Sequence, residues 1–126
     1  MDKKILIVDD EPYIRVLLEQ TLEDLEDEGV ELLLAANGEE GLEVALDERP
    51  NLIFLDVMMP HLSGYEVCQR IKAVDSAIYV ILLTAKGQAV DKERGAEAGA
   101  DEYITKPFDP DYVLEKAVAV LGLEGW

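Results

Sequence analysis

Asn51-Leu52-Ile53-Phe54-Leu55-Asp56-Val57-Met58-Met59-Pro60-His61-Leu62-Ser63-Gly64 holds a mostly apolar run that leads straight into one aspartate. A proline and a glycine then break the pattern. An apolar run without polar alternation reads as a strand buried on both faces, and such strands belong to parallel sheets covered by helices. Asp56 then stands at the carboxyl end of its strand, the edge where open α/β sheets bind ligands.

The flanking sequence repeats this unit. Lys4-Ile5-Leu6-Ile7-Val8 is a first buried strand and ends in Asp9-Asp10-Glu11-Pro12. Pro12 suits the first turn of a helix, where its missing N–H costs nothing. Ile14, Leu17, Leu18, Leu22 and Leu25 follow at helical spacing, and Gly29 is placed as a C-terminal cap. Glu31 to Ala36 is a second strand, and Asn37 caps a helix with Leu42, Ala45 and Leu46 on one face, closed by Pro50. After the Asp56 strand, Tyr65, Val67, Cys68 and Ile71 mark a third helix. Ile78 to Leu83 is a fourth strand, ending in Thr84-Ala85-Lys86-Gly87. A polar, weakly periodic helix over about 88–97, a short strand from Glu102 to Thr105 and a last helix from Asp109-Pro110 complete the chain. Five strand-helix units in succession predict a parallel sheet with right-handed crossovers and helices on both faces. The expected architecture is the flavodoxin-like (βα)5 sandwich, strand order 2-1-3-4-5, as a single domain over residues 1–126.

Composition narrows the function. With 126 residues, 49% of them hydrophobic, the chain fills one core. No apolar run approaches the ~20 residues of a membrane span, and the N-terminus lacks the pattern of a signal peptide, so a cytoplasmic protein is expected. Cys68 is the single cysteine, which excludes an internal disulfide and reads as a small buried helix residue. The net charge of −17 repels phosphate backbones and argues against nucleic-acid binding by this chain.

The strand ends gather the chemistry. The first delivers Asp9 and Asp10, the third Asp56, the fourth Thr84 and the fifth Lys106, whereas the second delivers only Ala35-Ala36. At ~4.8 Å between strands these side chains converge on a patch about 10–15 Å across. Three carboxylates repel one another, and a hard divalent cation relieves that repulsion; an oxygen-only set suits Mg2+ or a similar ion such as Mn2+. His61 is the only histidine and reads as a loop residue, so zinc is not expected. Lys106 and Thr84 suit phosphate oxygens, and Asp56, ionised at neutral pH, needs no base to act as a nucleophile. A carboxylate nucleophile, a metal, a lysine and a hydroxyl form a phosphoryl-transfer constellation. Its product is a temporary acyl phosphate on Asp56, suited to signalling.

Ile5-Leu6-Ile7-Val8-Asp9-Asp10-Glu11, Asp56-Val57-Met58-Met59-Pro60-His61-Leu62-Ser63-Gly64, Leu82-Leu83-Thr84-Ala85 and Gly99-Ala100-Asp101-Glu102-Tyr103-Ile104-Thr105-Lys106-Pro107-Phe108 together resemble the receiver domains of two-component response regulators over nearly the whole chain. The resemblance implies that Asp56 is the phosphoacceptor for a phosphohistidine on a sensor kinase or a histidine phosphotransfer protein. It implies Mg2+ held by Asp10, Asp56 and the backbone carbonyl of Met58, with Asp9 acting through water. Lys106 would pair with the phosphoryl group, Thr84 would move toward it, and Tyr103 would be the switch aromatic that turns inward. Pro107 would follow a cis peptide bond, and Ala85 would be the small residue beside the phosphate. Such a protein catalyses only its own phosphorylation and dephosphorylation and is not a conventional enzyme. It fits either a stand-alone regulator or the receiver of a longer protein with an output domain. The winged-helix transcription-factor subfamily carries an arginine early in its last helix; Asp111 stands here, which counts against that output class.

Two other classes fit less well. Metal-dependent phosphohydrolases with an aspartyl nucleophile place a second acid two residues on, where this chain has Met58. A flavodoxin-like cofactor binder needs a Ser/Thr/Gly-rich loop after the first strand, where this chain has Asp9-Asp10-Glu11.

Overall fold

A computed structural model describes residues 3–85 and 92–123. The strands are β1 (Lys3–Val8), β2 (Val30–Ala35), β3 (Leu52–Asp56), β4 (Tyr79–Ala85) and β5 (Glu102–Lys106). The helices are α1 (Pro12–Leu22), α2 (Gly38–Glu48), α3 (Gly64–Val74), α4 (Lys92–Ala98) and α5 (Pro110–Leu121). All strand pairs are parallel, in the order β2-β1-β3-β4-β5. The expected fold class is therefore the observed one.

β3 is buried at all five positions because helices cover both faces of the sheet. Alternate residues feed two cores. Ile5, Ile7, Leu52, Phe54, Ile81 and Leu83 point to one side, where Ile14, Leu18 and Leu22 of α1 and Val113, Ala117 and Leu121 of α5 meet them. Leu6, Val8, Ile53, Leu55, Val80 and Leu82 point to the other, against Ala45 of α2, Cys68 and Ile71 of α3 and Ala98 of α4. Burying a Leu or Ile side chain contributes about 1.5–3 kcal/mol, so β1, β3 and β4 anchor the structure.

Local details adjust the expected boundaries. α1 stops at Leu22, and Glu23–Glu28 continues as a 3-10 segment that Gly29 ends at φ +86°. The crowded acids of this segment repel at helical i,i+3 and i,i+4 spacing, which disfavours a further α-helical turn. Asn37 caps α2 by accepting from the Glu40 amide at 2.8 Å. Arg49, in the left-handed region at φ +49°, ends it before Pro50. β4 runs through Thr84 and Ala85, and β5 through Lys106, so these residues belong to strand ends rather than to the loops beyond them. The first part of the helix expected over 88–97 falls outside the described residues; α4 begins at Lys92.

Candidate phosphoacceptor site

The sheet brings Asp9, Asp56, Thr84 and Lys106 to one edge, and these are its buried polar side chains among the described residues. Asp56 lies in register with Leu83, which places Thr84 one residue further on the neighbouring strand. Asp56 and Lys106 each stand two residues beyond Phe54 and Ile104, which face α1 and α5. Thr84 stands two beyond Leu82, which faces the α2–α4 side.

Lys106 organises the acids. Its Nζ lies 2.9 Å from Asp9 Oδ2, 3.0 Å from Glu11 Oε1 and 3.4 Å from Asp56 Oδ1. Burial alone would push the ammonium down; hydrogen bonds to Asp9 and Glu11 and the charge of Asp56 outweigh burial and hold it well above the usual lysine range. Asp9 is fully buried, and its Oδ1 accepts from the Glu11 amide at 2.9 Å. Arg15 Nη1 donates to the Asp9 carbonyl at 2.7 Å. Asp10, next in sequence, is exposed. Asp56 Oδ1 accepts a long hydrogen bond from the Met58 amide at 3.3 Å, while the Met58 side chain is exposed. Gly64 is required beside it: a Cβ there would overlap the Asp56 carbonyl and crowd Val57.

Carboxylate oxygens of Asp9, Asp10, Glu11 and Asp56 all lie within 4.8 Å of one another. Four carboxylates against the one ammonium of Lys106 leave an acidic surplus, and a hard, oxygen-seeking cation fits that donor set. The same surplus corrects one expectation. Burial and the charge of Asp9 push the Asp56 carboxyl up to about 7, against Lys106 and the Met58 amide, which lower it. Without a cation Asp56 is therefore only partly ionised near neutrality, because desolvation disfavours the charged form.

Thr84 is 3% exposed, and its Oγ1 has no hydrogen-bond partner among the described residues. A buried hydroxyl without a partner costs about 1–3 kcal/mol, so it is poised to gain from an incoming acceptor. Tyr103 packs against the core on the α2–α4 side with its hydroxyl buried. It is in register with Leu82 and so shares a sheet face with Thr84. The Lys106–Pro107 peptide is cis, and Ala85 is half-buried. His61 is an exposed loop residue at φ +70° and is not one of the side chains that form the acidic cluster.

Glu11 is the site residue that the sequence left unassigned. It occupies the N-cap of α1, yet its side chain makes no capping hydrogen bond and pairs with Lys106 instead. The signal was its place in an unbroken acidic triplet after a buried strand.

Residues 5–118 match the response regulator receiver domain family. The chain belongs to that family. It is 46% identical over 121 residues to the alkaline phosphatase synthesis transcriptional regulatory protein PhoP of Bacillus subtilis, a match covering 96% of this chain and 49% of that protein. The receiver spans about half the length of the curated relatives it matches. Among solved structures it superimposes on the response regulator DrrB, a Thermotoga maritima OmpR/PhoB homolog, with a TM-score of 0.81 and 36% identity, covering 98% of this chain and 54% of that one. It also matches the Vibrio cholerae chemotaxis protein CheY4, with a TM-score of 0.81 and 31% identity, covering 95% of this chain and 99% of that one. Receivers of this family work in two-component systems with sensor kinases and typically bind Mg2+. No described helix is long and apolar enough to cross a membrane.

Proposed function

We propose that Asp56 accepts a phosphoryl group from a phosphohistidine on a sensor kinase or a histidine phosphotransfer protein. The convergence of Asp9, Glu11 and Asp56 on the Lys106 ammonium carries this reading. An Asp56 carboxylate oxygen attacks phosphorus, the P–N bond to the donor imidazole breaks, and a P–O bond forms as an acyl phosphate. The imidazole leaves with the bonding pair and takes up a proton. Lys106, already 3.4 Å from the nucleophile, would neutralise an equatorial phosphoryl oxygen. The Thr84 hydroxyl would donate to another and gain the partner it lacks. Asp10, Asp56 and the Met58 carbonyl would hold Mg2+ or Mn2+, with Asp9 acting through water. Such an ion supplies charge neutralisation at the phosphoryl oxygens.

The chain is then not a conventional enzyme; it turns over only its own phosphoryl group. Movement of Thr84 would be read out through Tyr103 on the same sheet face. PhoP is named a transcriptional regulator and DrrB an OmpR/PhoB homolog. These likenesses favour a transcriptional output, against the expectation drawn from Asp111. Asp111 sits in the first turn of α5, and its amide donates to the capping Asp109 carboxylate at 2.9 Å. An acid is favoured there by the helix dipole, which accounts for Asp111 within α5 itself.

Intact mass after incubation with acetyl phosphate, with and without Mg2+, tests the reading. A labile, Mg2+-dependent adduct that is absent from Asp56→Asn is the expected result. A folded wild type that takes up phosphate neither from acetyl phosphate nor from a phosphorylated histidine kinase would overturn it.

A further inference from the structure

Gly95 lies buried in the middle of α4, a seven-residue helix. Glycine is the poorest helix former after proline, so its presence there needs a reason. A Cβ at position 95 would overlap the hydroxyl oxygen and Cζ of Tyr103. The Tyr103 phenol thus occupies the space that a side chain at position 95 would fill. The clash is with the far end of a side chain, so it is relieved by rotating Tyr103 rather than by moving the helix. The ring otherwise packs against the core on this face, with its hydroxyl out of solvent.

We propose that Gly95 is the positioning residue for Tyr103: its bare backbone forms the notch under α4 that receives the phenol. Any side chain at 95 holds the ring on the surface, whatever the state of Asp56. The inward position of Tyr103 is then licensed by α4 as well as by Thr84. The regulatory consequence rests on the reading of Tyr103 as the switch aromatic; the notch itself does not.

The test uses the full chain labelled with 3-fluorotyrosine and observed by 19F NMR, the Tyr103 resonance being assigned by its loss in Tyr103→Leu. In the wild type, Tyr103 is expected to show a small H2O/D2O isotope shift. In Gly95→Ala it should acquire the full solvent shift of exposed Tyr13, which is 73% accessible. Retention of the wild-type frequency and small isotope shift in Gly95→Ala would overturn the proposal. Thermal unfolding gives an independent measure. Gly95→Ala should lower Tm in the wild-type background and raise it by about 3–5 °C in Tyr103→Leu, where only the helix gain remains. An equal change in both backgrounds would refute coupling between the two positions. Acetyl phosphate should load Gly95→Ala to the wild-type extent without moving its Tyr103 signal. Should neither protein load from acetyl phosphate or from a phosphorylated histidine kinase, the phosphoacceptor reading fails, while the isotope shifts still decide the notch.

Discussion

Replacing Asp56 with asparagine removes the proposed nucleophile, yet it should make the cation-free protein more stable. The carboxyl is raised from 3.8 to about 7 by burial and by Asp9. Between those values the folded state binds a proton that the unfolded state has released. The stability this proton confers is fully present below about pH 3.8 and is lost as pH rises through 7. Above pH 7 the wild type therefore holds a buried, poorly compensated carboxylate. Each pKa unit is worth about 1.36 kcal/mol, which sets an upper limit of about 4 kcal/mol on the penalty. Sharing of charge with Asp9 and access of water to the mouth of the site reduce this to about 2 kcal/mol. Asparagine keeps the shape and carries no charge. For a chain of this size the gain corresponds to about 8 °C in Tm.

The assay is thermal unfolding by circular dichroism in EDTA, from pH 4 to 8.5, on both proteins. Their curves should nearly coincide at pH 4 and separate progressively up to pH 7, with Asp56→Asn the more stable. Comparing two proteins of otherwise identical charge cancels the general effect of an acidic surface. Saturating Mg2+ should then stabilise the wild type more than the variant and close the gap, since a ligand that binds only the folded state adds RT ln(1 + [L]/Kd). Parallel pH profiles, or a variant less stable than the wild type at pH 8, would refute the electrostatic account of the site.

Three further outcomes follow from the same geometry. Lys106→Met removes the ammonium shared by Asp9, Glu11 and Asp56, and should lower stability by about 3 kcal/mol in urea at pH 7, with less loss at pH 5, where Asp56 is mostly protonated. Thr84→Val replaces a buried hydroxyl without a described partner by a methyl, and should stabilise the unmodified protein by about 1 kcal/mol while abolishing the phosphate-induced change at Tyr103 in 19F spectra. Gly64→Ala forces a methyl against the Asp56 backbone and should cost about 1–3 kcal/mol in chemical denaturation and slow adduct formation from acetyl phosphate.

The central strands were legible because burial on both faces of β1, β3 and β4 writes the same apolar signature, and the ends of β1, β3, β4 and β5 carry the site residues. Asp56, Thr84 and Lys106 could be placed from that alone, given a parallel sheet. The same double burial hid the direction of individual side chains. Where one face of a strand is wet, alternation tells adjacent residues apart; β1 is apolar on both faces, so its pattern alone does not separate Asp9 from Asp10, and only the family resemblance gives them different roles. In the structure Asp9 is sealed against Lys106 and Asp10 is open to solvent. Of the two, Asp10 is therefore the acid that a cation arriving from solvent meets first. Glu11 was hidden for another reason: an acid before Pro12 satisfies a helix start as well as a lysine 95 positions away, and only the fold chooses. Gly95 is the extreme case. Its neighbour across the notch is on another element, so within α4 it reads as nothing more than a weak helix. What local patterns encode is which elements form and where they end. Which side chains share a charge or a cavity is settled between elements, and the pairs Glu11–Lys106 and Gly95–Tyr103 both lie there. The acid surplus at Asp56 belongs to the same level: no residue type predicts a carboxyl near 7 until burial and Asp9 are placed beside it.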